Sequence, residues 1–259
     1  MDADTPPSLG RPRLHLRITD STNERARELA IAGAPHGTLV TAAEQSAGRG
    51  RQGRRWSAPA GSSILMSLVL RDPPPLLPLM AAVAVCDTIG EQAQIKWPND
   101  IVVPLTDEQT QATGPGLAKL AGILVEGRPQ QGWAVLGIGV NVAVRLDELP
   151  PELHPNRGAT GLEPAAALPA ATMGLEPVDV EPTLALLLAA LERRLSESAA
   201  TTLDAWRSRD ALHGREIVWN GGSGRAAGID GEGRLVIALP DGGRHTALGS
   251  GEIHLQSIS

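Results

Sequence analysis

The pattern of apolar and polar positions along the chain predicts an α+β protein, in which short buried strands are mixed with helices. A run from 62 to 70 is almost entirely apolar and has the length of a buried strand. Residues 95–103 read as two short strands around a Pro-Asn-Asp turn. Further strands are predicted at 37–44, 120–126 and 133–142, the last two being paired through 127–132.

Helices are predicted where apolar residues recur with a period close to 3.6 or where alanine dominates. Ser21-Thr22-Asn23-Glu24 has the form of a capping box, with Ser21 as the N-cap, and Gly33 ends the helix that follows. Leucines repeat at helical spacing over 181–198. The remaining predicted helices cover 79–92 and 201–208.

The texture of the sequence changes near Leu212, where short apolar runs begin to alternate with glycine-rich turns. This alternation is typical of closely spaced strands in a small barrel or sandwich. We therefore divide the chain into a large domain, 1–211, and a small one, 212–259. Residues 1–13 are predicted to be a loose arm, and 104–117 a polar loop.

Composition narrows the class of protein. The chain has 259 residues, and 42% of them are hydrophobic. Its formal charge of -6 disfavours a protein that binds nucleic acid over its whole surface. Its single cysteine, Cys86, excludes an internal disulfide and a multi-cysteine zinc site. Because no apolar stretch is long enough for a membrane span and no signal peptide is visible, we expect a cytoplasmic protein.

The distribution of basic residues is unusual. Only Lys96 and Lys119 are lysines, while 21 positions carry arginine, and the chain has no Phe or Tyr. Where arginine has replaced lysine so widely, a position that remains lysine is a candidate for a site that needs an amine.

The segment Gln45–Trp56 is the first candidate for chemistry. It holds three glycines and four arginines, and no acidic residue interrupts them. Glycines let the backbone approach a ligand closely, and the arginines would attract an anion. The segment is not a Walker A loop, because no Gly-Lys-Ser/Thr follows its glycines. It is not a dinucleotide-binding fingerprint either, because that motif opens a helix, whereas a strand follows this segment. The alternative is a solvated surface loop.

Three further segments combine polar residues with strands. Lys96-Trp97-Pro98-Asn99-Asp100 places an amine, an amide and a carboxylate at one turn, and Asp100 is a candidate magnesium ligand. Lys119 begins the apolar strand KLAGILVE, and Gly137 to Asn141, GIGVN, puts glycines inside another. The alternatives are an ordinary turn, an edge-strand lysine and a β-bulge.

Taken in order, STN, EQ-x-x-GRGR-x-GR-x-W, KWPND, KLAGILVE and GIGVN resemble the biotin protein ligases, the biotin–[acetyl-CoA-carboxylase] ligases. Ala159 to Leu162 is similar to a later motif of that family. The resemblance is strong from Ser21 to Leu162 and loose in the C-terminal part. It implies a mixed sheet flanked by helices, related to class II aminoacyl-tRNA synthetases, followed by a small SH3-like β-barrel.

The resemblance also implies an activity. Such enzymes join biotin to ATP, giving biotinoyl-5′-AMP and pyrophosphate, and then pass the biotinyl group to one lysine of a biotin carboxyl carrier protein. Biotin and ATP would be the substrates, with Mg²⁺ as the metal. We expect no nucleic-acid or membrane partner and a monomer or weak homodimer. Only about twenty residues precede the STN motif, which is too few for the DNA-binding domain of many relatives.

Site residues follow from the resemblance, position by position. Arg49, Arg51 and Lys119 would be catalytic, and Asp100 would hold the metal. The expected biotin contacts are Ser21, Thr22, Asn23, Gln45, Arg49, Gly50, Arg51, Lys119, Gly122, Ile123 and Gly139. The expected ATP contacts are Arg51, Trp56, Lys96, Asn99, Asp100, Lys119 and Asn141.

Two rival functions remain at the level of the sequence. A lipoate–protein ligase or octanoyl transferase shares the catalytic fold, but its ligand lacks the ureido ring that the STN motif and Gln45 would recognise. A non-catalytic protein could use the arginine loop for nucleic acid and the small barrel for a partner.

Overall fold

A computed structural model of the chain describes residues 9–105, 116–128, 131–149, 168–240, 243–249 and 253–255. Two sheets account for its strands. Strands β1 (Arg13–Thr19), β2 (Leu39–Gln45), β3 (Ser63–Arg71), β4 (Gln94–Lys96), β5 (Asp100–Pro104), β6 (Leu117–Arg128) and β7 (Trp133–Asn141) form the first. Strands β8 (Glu216–Trp219), β9 (Gly222–Ile229), β10 (Leu235–Ala238), β11 (His245–Leu248) and β12 (His254–Leu255) form the second. The helices are α1 (Thr22–Ile31), α2 (Leu77–Ile89), α3 (Val180–Leu195) and α4 (Ala199–Arg207).

The first sheet is mixed, with the strand order β1-β2-β3-β7-β6-β5-β4. Only the β1–β2 pair is parallel, and the other neighbours are antiparallel. Helices cover both faces, with α2 and α3 on the larger core and α1 on a smaller one around Val40, Val69 and Val135. The prediction of a mixed sheet flanked by helices is therefore confirmed.

The apolar runs produce the strands because both faces of the central strands are covered. Residues Ser63 to Leu70 of β3 are all buried, and so are all residues of β7 except Gly139. The continuous apolar character of these segments, rather than strict alternation, follows from this two-sided burial.

The second sheet is antiparallel, with the order β11-β10-β9-β8-β12. Among the described residues no pairing closes β11 onto β12, so the part of the chain in view is an open sheet. Its buried residues, which include Ile217, Leu235 and Ile253, belong to the same apolar core as residues of the first sheet and of α2. The DGEG turn, 230–233, lies between β9 and β10 as the spacing predicts, whereas Gly222, Ser223 and Gly224 of the NGGSG segment belong to β9.

Two local predictions are wrong. Arg13 was assigned to a loose arm, yet it begins β1, an edge strand that pairs with β2. Ser21 does occupy the N-cap of α1, but its side chain makes no capping bond. Glu24 instead binds Arg27, so the expected capping box does not form. Of the predicted loop 104–117, residues 106–115 lie outside the described residues, as does the whole Ala159–Leu162 motif.

None of the helices within the described ranges is long and apolar enough to cross a lipid bilayer.

Candidate active site

One cavity of about 210 Å³ gathers every residue that the sequence singled out for chemistry. It lies beside the N-terminus of α1, over β3, β7 and β6, with the segment 45–56 along one side. The predicted residues in its lining are Ser21, Thr22, Asn23, Gln45, Arg49, Gly50, Arg51, Trp56, Lys96, Asn99, Asp100, Lys119, Gly122, Ile123, Gly139 and Asn141. Segments that are far apart in the chain thus meet at one place.

A buried polar cluster forms one end of the cavity. Thr22 and Asn23 begin α1 and are each 4% exposed. Gln45 Oε1 accepts from the Thr22 backbone N–H at 2.7 Å and lies 3.1 Å from the Thr22 hydroxyl oxygen. Asn23 Nδ2 donates to Glu126 Oε2 at 2.8 Å. This end can offer several fixed hydrogen-bonding groups to a polar ring.

Amines and a carboxylate form the other end. Lys119 Nζ lies 2.6 Å from Asp100 Oδ1. Burial raises the Asp100 pKa, but Lys119 and Lys96 lower it more, so the carboxyl pKa lies below its usual range. Burial lowers the pKa of Lys96, which Asp100 partly offsets. Asp100 is therefore ionised at neutral pH and holds the two amines around it.

Strand β6 connects these ends. It carries Lys119 near its start and Glu126 near its finish. At about 3.3 Å per residue, the seven steps between them span roughly 23 Å. The cavity therefore suits an elongated ligand that has a polar ring at one end and an anionic group at the other.

The middle of the cavity is lined by a tryptophan on a glycine floor. Trp56 packs so closely on β7 and β6 that a Cβ on Gly139 would lie 2.6 Å from its ring, and one on Gly122 would lie 3.0 Å away. The Lys119 ammonium lies 5.6 Å from the centre of a Trp56 ring. Glycine is required at these two strand positions because any side chain would displace the indole.

The arginine segment folds back on itself. Gly50 N–H donates to Arg54 O at 2.7 Å, and Trp56 N–H donates to Gly48 O at 2.9 Å. Arg49 Nη1 lies 3.2 Å from Glu24 Oε2 and 3.6 Å from Glu126 Oε1. These contacts hold the segment against α1 and β6, so its arginines border the cavity.

Two of the residues predicted to contact the nucleotide also make hydrogen bonds within the protein. Asn99 Nδ2 donates to Ile123 O at 2.9 Å, and Asn141 Nδ2 donates to Ala171 O at 2.9 Å. Both side chains line the cavity, but these bonds leave only part of each amide for a ligand.

The thiol of the chain lies outside the cavity. Cys86 is buried in α2, and burial raises the pKa of its thiol to about 12. Within the described ranges, no group of three or more His, Cys, Asp or Glu side chains could hold a metal by itself. The charged groups that line the cavity include the cations Arg49, Arg51 and Lys119 and the carboxylate of Asp100.

Sequence reasoning missed several residues of the site. Glu24 and Glu126 hold Arg49, Arg54 and Ile253 also line the cavity, and Ser67 and Gly137 surround Asn23. Three of them stood inside quoted motifs: Arg54 in the arginine segment, Glu126 at the end of KLAGILVE and Gly137 at the start of GIGVN. Ser67 and Ile253 carried no comparable signal.

Comparisons with known proteins point in one direction. Residues 15–142 match the model of the biotin/lipoate A/B protein ligase family. The chain is 34% identical over 251 residues to the biotin–[acetyl-CoA-carboxylase] ligase of Paracoccus denitrificans, which covers 88% of this chain and 94% of the relative. It is also 34% identical over 254 residues to the bifunctional ligase/repressor BirA of Bacillus spizizenii, covering 90% of this chain and 71% of that protein.

The fold has a solved counterpart. A biotin protein ligase from Aquifex aeolicus, in complex with biotin and ATP, superimposes with a TM-score of 0.72 at 23% identity. The alignment covers 96% of this chain and all of the other.

Proposed function

Because the chain belongs to the biotin protein ligases, within the biotin/lipoate A/B protein ligase family, we propose that it activates biotin with ATP. It then transfers the biotinyl group to a lysine of a biotin carboxyl carrier protein. The observation that carries this proposal is the single cavity that joins the Thr22–Asn23–Gln45 cluster to the cations around Lys119. A ureido ring fits the first end, and a carboxylate and phosphates fit the second.

In the first step the biotin carboxylate attacks the α-phosphorus of ATP, and pyrophosphate leaves. Two anions must approach each other, and negative charge builds up on the phosphoryl oxygens. Lys119, Arg51 and Arg49 border this region with fixed positive charge, which stabilises the transition state more than the separated reactants. The nucleophile is the substrate's own carboxylate, which agrees with the inert Cys86.

In the second step the amine of the acceptor lysine attacks the acyl carbon of the mixed anhydride, and AMP leaves with the bonding electrons. The amine must be neutral to attack and loses a proton as the amide forms. Lys119 would hold the anhydride oxygens. The segment 45–56 borders the cavity and would shield the adenylate from water.

Magnesium would enter with the nucleotide. Asp100 is ionised and faces the cavity, and one carboxylate together with substrate phosphates is a common way for proteins to hold Mg²⁺. The residues therefore fit the metal, which would neutralise phosphate charge. Lys119 Nζ contacts Asp100 Oδ1, and a metal held by this carboxylate would release the amine toward the substrate carboxylate.

For the C-terminal part we propose an SH3-like barrel and retain the boundary between residues 211 and 212. The strand order β11-β10-β9-β8-β12, in which the first and last strands of the unit are neighbours, supports this assignment. Ile253 brings this unit to the edge of the cavity.

The proposal is tested by incubating the protein with ATP, Mg²⁺ and a biotin carboxyl carrier domain, adding either biotin or lipoate, and weighing the carrier. We expect one biotinyl group on one lysine and no lipoyl group. Transfer of lipoate instead of biotin would favour the rival ligase. Absence of both products, with nucleic-acid binding that falls steeply with salt, would favour the binding protein.

A further inference from the structure

We infer that Ser67 is a positioning residue that makes the cavity selective for biotin, by fixing the orientation of Asn23 and Thr22. The inference rests on the proposed function and extends it to a residue that does not touch the ligand. Ser67 is fully buried in the middle of β3 and is absent from the cavity lining. It would act through its neighbours.

Ser67 lies at the centre of the polar cluster. Its Oγ is 2.6 Å from Asn23 Oδ1 and 2.9 Å from Thr22 Oγ1. A serine hydroxyl has one hydrogen to donate, and an amide oxygen can only accept. Ser67 therefore donates to Asn23 and accepts the single hydrogen of the Thr22 hydroxyl.

This assignment orients two amides. With Asn23 Oδ1 held by Ser67, Asn23 Nδ2 faces the Glu126 carboxylate at 2.8 Å, where an oxygen would be repelled. Gln45 Oε1 accepts from the Thr22 backbone N–H at 2.7 Å. The amino group of Gln45 is thereby the end that remains to donate to a ligand, and a ureido carbonyl is a suitable acceptor.

Strand β7, next to β3, also contributes to the position of Asn23. Ser67 pairs with Gly137 of β7, and a Cβ on Gly137 would overlap the Asn23 amide. The Ser67 hydroxyl thus binds the Asn23 amide, and the absence of a side chain at Gly137 leaves the space that this amide occupies. Two independent features of the sheet serve one side chain at the ring end of the cavity.

Orientation matters for selectivity because the cluster is buried. A ureido ring can satisfy fixed donors and acceptors, whereas the dithiolane ring of lipoate would leave them unpaired at a large cost. If the side-chain amides of Asn23 and Gln45 were free to rotate, biotin would lose its advantage in affinity over lipoate. The binding of lipoate would hardly change, since it never used the polar groups.

The test compares Ser67→Ala with Ser63→Ala. Ser63 is four residues earlier on the same strand and 3% exposed, and its hydroxyl has no partner among the described residues. We expect Ser67→Ala to raise the KM for biotin about tenfold, the usual effect of leaving a buried polar group unpaired. The KM for ATP and the inhibition constant of lipoate should stay within about twofold. Ser63→Ala should change none of these values.

Ser67→Cys provides a second variant if alanine impairs folding, because a thiol has similar size but is a weak donor. Adding Asn23→Ala to Ser67→Ala should raise the biotin KM no further than Asn23→Ala alone. Equal effects of the Ser67 and Ser63 variants, or equal rises in the KM for biotin and ATP, would overturn the inference while leaving the ligase activity intact. A wild-type protein that makes no biotinyl adenylate would overturn the proposed function itself.

Discussion

At the scale of single residues, the site depends on how two amines share one carboxylate. Lys96 and Lys119 are the only lysines of the chain, and both reach Asp100 or its immediate surroundings. Guanidinium groups are abundant in this sequence, so the retention of ammonium groups at this carboxylate indicates a demand for a compact charge.

We expect Lys119→Arg to lower the rate of adenylate formation on the order of 10²–10³-fold, although the charge is kept. A planar guanidinium is larger than an ammonium and cannot take its place between Asp100 and the substrate carboxylate. Pyrophosphate release in single-turnover conditions measures this step. Release at nearly the wild-type rate would show that Lys119 contributes charge alone.

Arg49 should retain the adenylate. Its guanidinium is half-exposed and ion-paired to Glu24 and Glu126, so it is held at the rim of the cavity. We expect Arg49→Ala to speed dissociation of biotinoyl-5′-AMP about tenfold, measured by chasing the bound adenylate. Arg17→Ala, which removes the same charge from the exposed strand β1, is the control and should have no effect.

Residue types of strong chemical character were predictable from the sequence, and residues whose role depends on neighbours were not. Lys119 and the arginines stood out by scarcity or density. Ser67 is a small polar residue in an apolar strand, and only the register with Gly137 and the approach of Asn23 reveal its contacts. The capping box failed because Arg27 and Arg49 compete for Glu24.

At the scale of elements, glycines on two adjacent strands decide the shape of the cavity. Gly122 pairs with Gly139 across β6 and β7, and Trp56 rests on both. The strands thereby form a smooth floor that admits a flat side chain and a ligand.

We expect Gly139→Ala to raise the KM for biotin at least tenfold, because the new methyl group must displace Trp56 from the floor of the cavity. Circular dichroism should show an unchanged fold, and tryptophan fluorescence should report the moved indole. Gly231→Ala is a matched control, since a Cβ there meets nothing within 4 Å. A biotin KM equal to that of the control variant would contradict the proposed floor.

Most elements could be predicted, and β1 shows why one could not. Leu14, Leu16 and Ile18 alternate with polar residues, but β1 is an edge strand on which Leu14 and Ile18 are 40% and 48% exposed. Its strand character comes from parallel pairing with β2, which is a tertiary contact. The central strands β3 and β7 were evident because burial on both faces makes them continuously apolar.

At the scale of the whole molecule, the two sheets are joined beside the site. The Trp97 indole N–H, within the KWPND segment, donates to Gly233 O at 3.1 Å, across 136 residues of sequence. The connection to the second sheet also pairs with β4, where Ile95 N–H donates to Arg209 O at 2.7 Å. The C-terminal sheet thus supports the strand that presents Lys96.

Asp210 in this connection gives a dependence of stability on pH. Burial raises its pKa, and its Oδ2 has no partner among the described residues. An acid with a raised folded pKa is favourable when protonated, so stability decreases as pH rises from its unfolded pKa through its folded pKa. We expect Asp210→Asn to match the wild type near pH 4 and to be more stable at pH 7 by about 1 kcal/mol.

Urea denaturation at both pH values measures this difference. A variant that is less stable than the wild type at pH 7 would show that the ionised carboxylate is satisfied in the folded protein.

The order of motifs predicted the family and many of the residues that line the cavity, but not their arrangement in space. Nothing in the sequence indicated that β6 lies between β7 and β5, or that Ile253 returns to the cavity from the far end of the chain. Such contacts depend on packing between distant segments.

The central claim is that cations at one end of the cavity and a polar cluster at the other activate biotin as its adenylate. The most direct test mixes the purified protein with biotin, ATP and Mg²⁺, without any carrier protein, and analyses the bound product by mass spectrometry. We predict biotinoyl-5′-AMP retained on the protein and pyrophosphate released in equal amount. Absence of this adenylate, or formation of lipoyl-AMP in preference when lipoate is also present, would contradict the account.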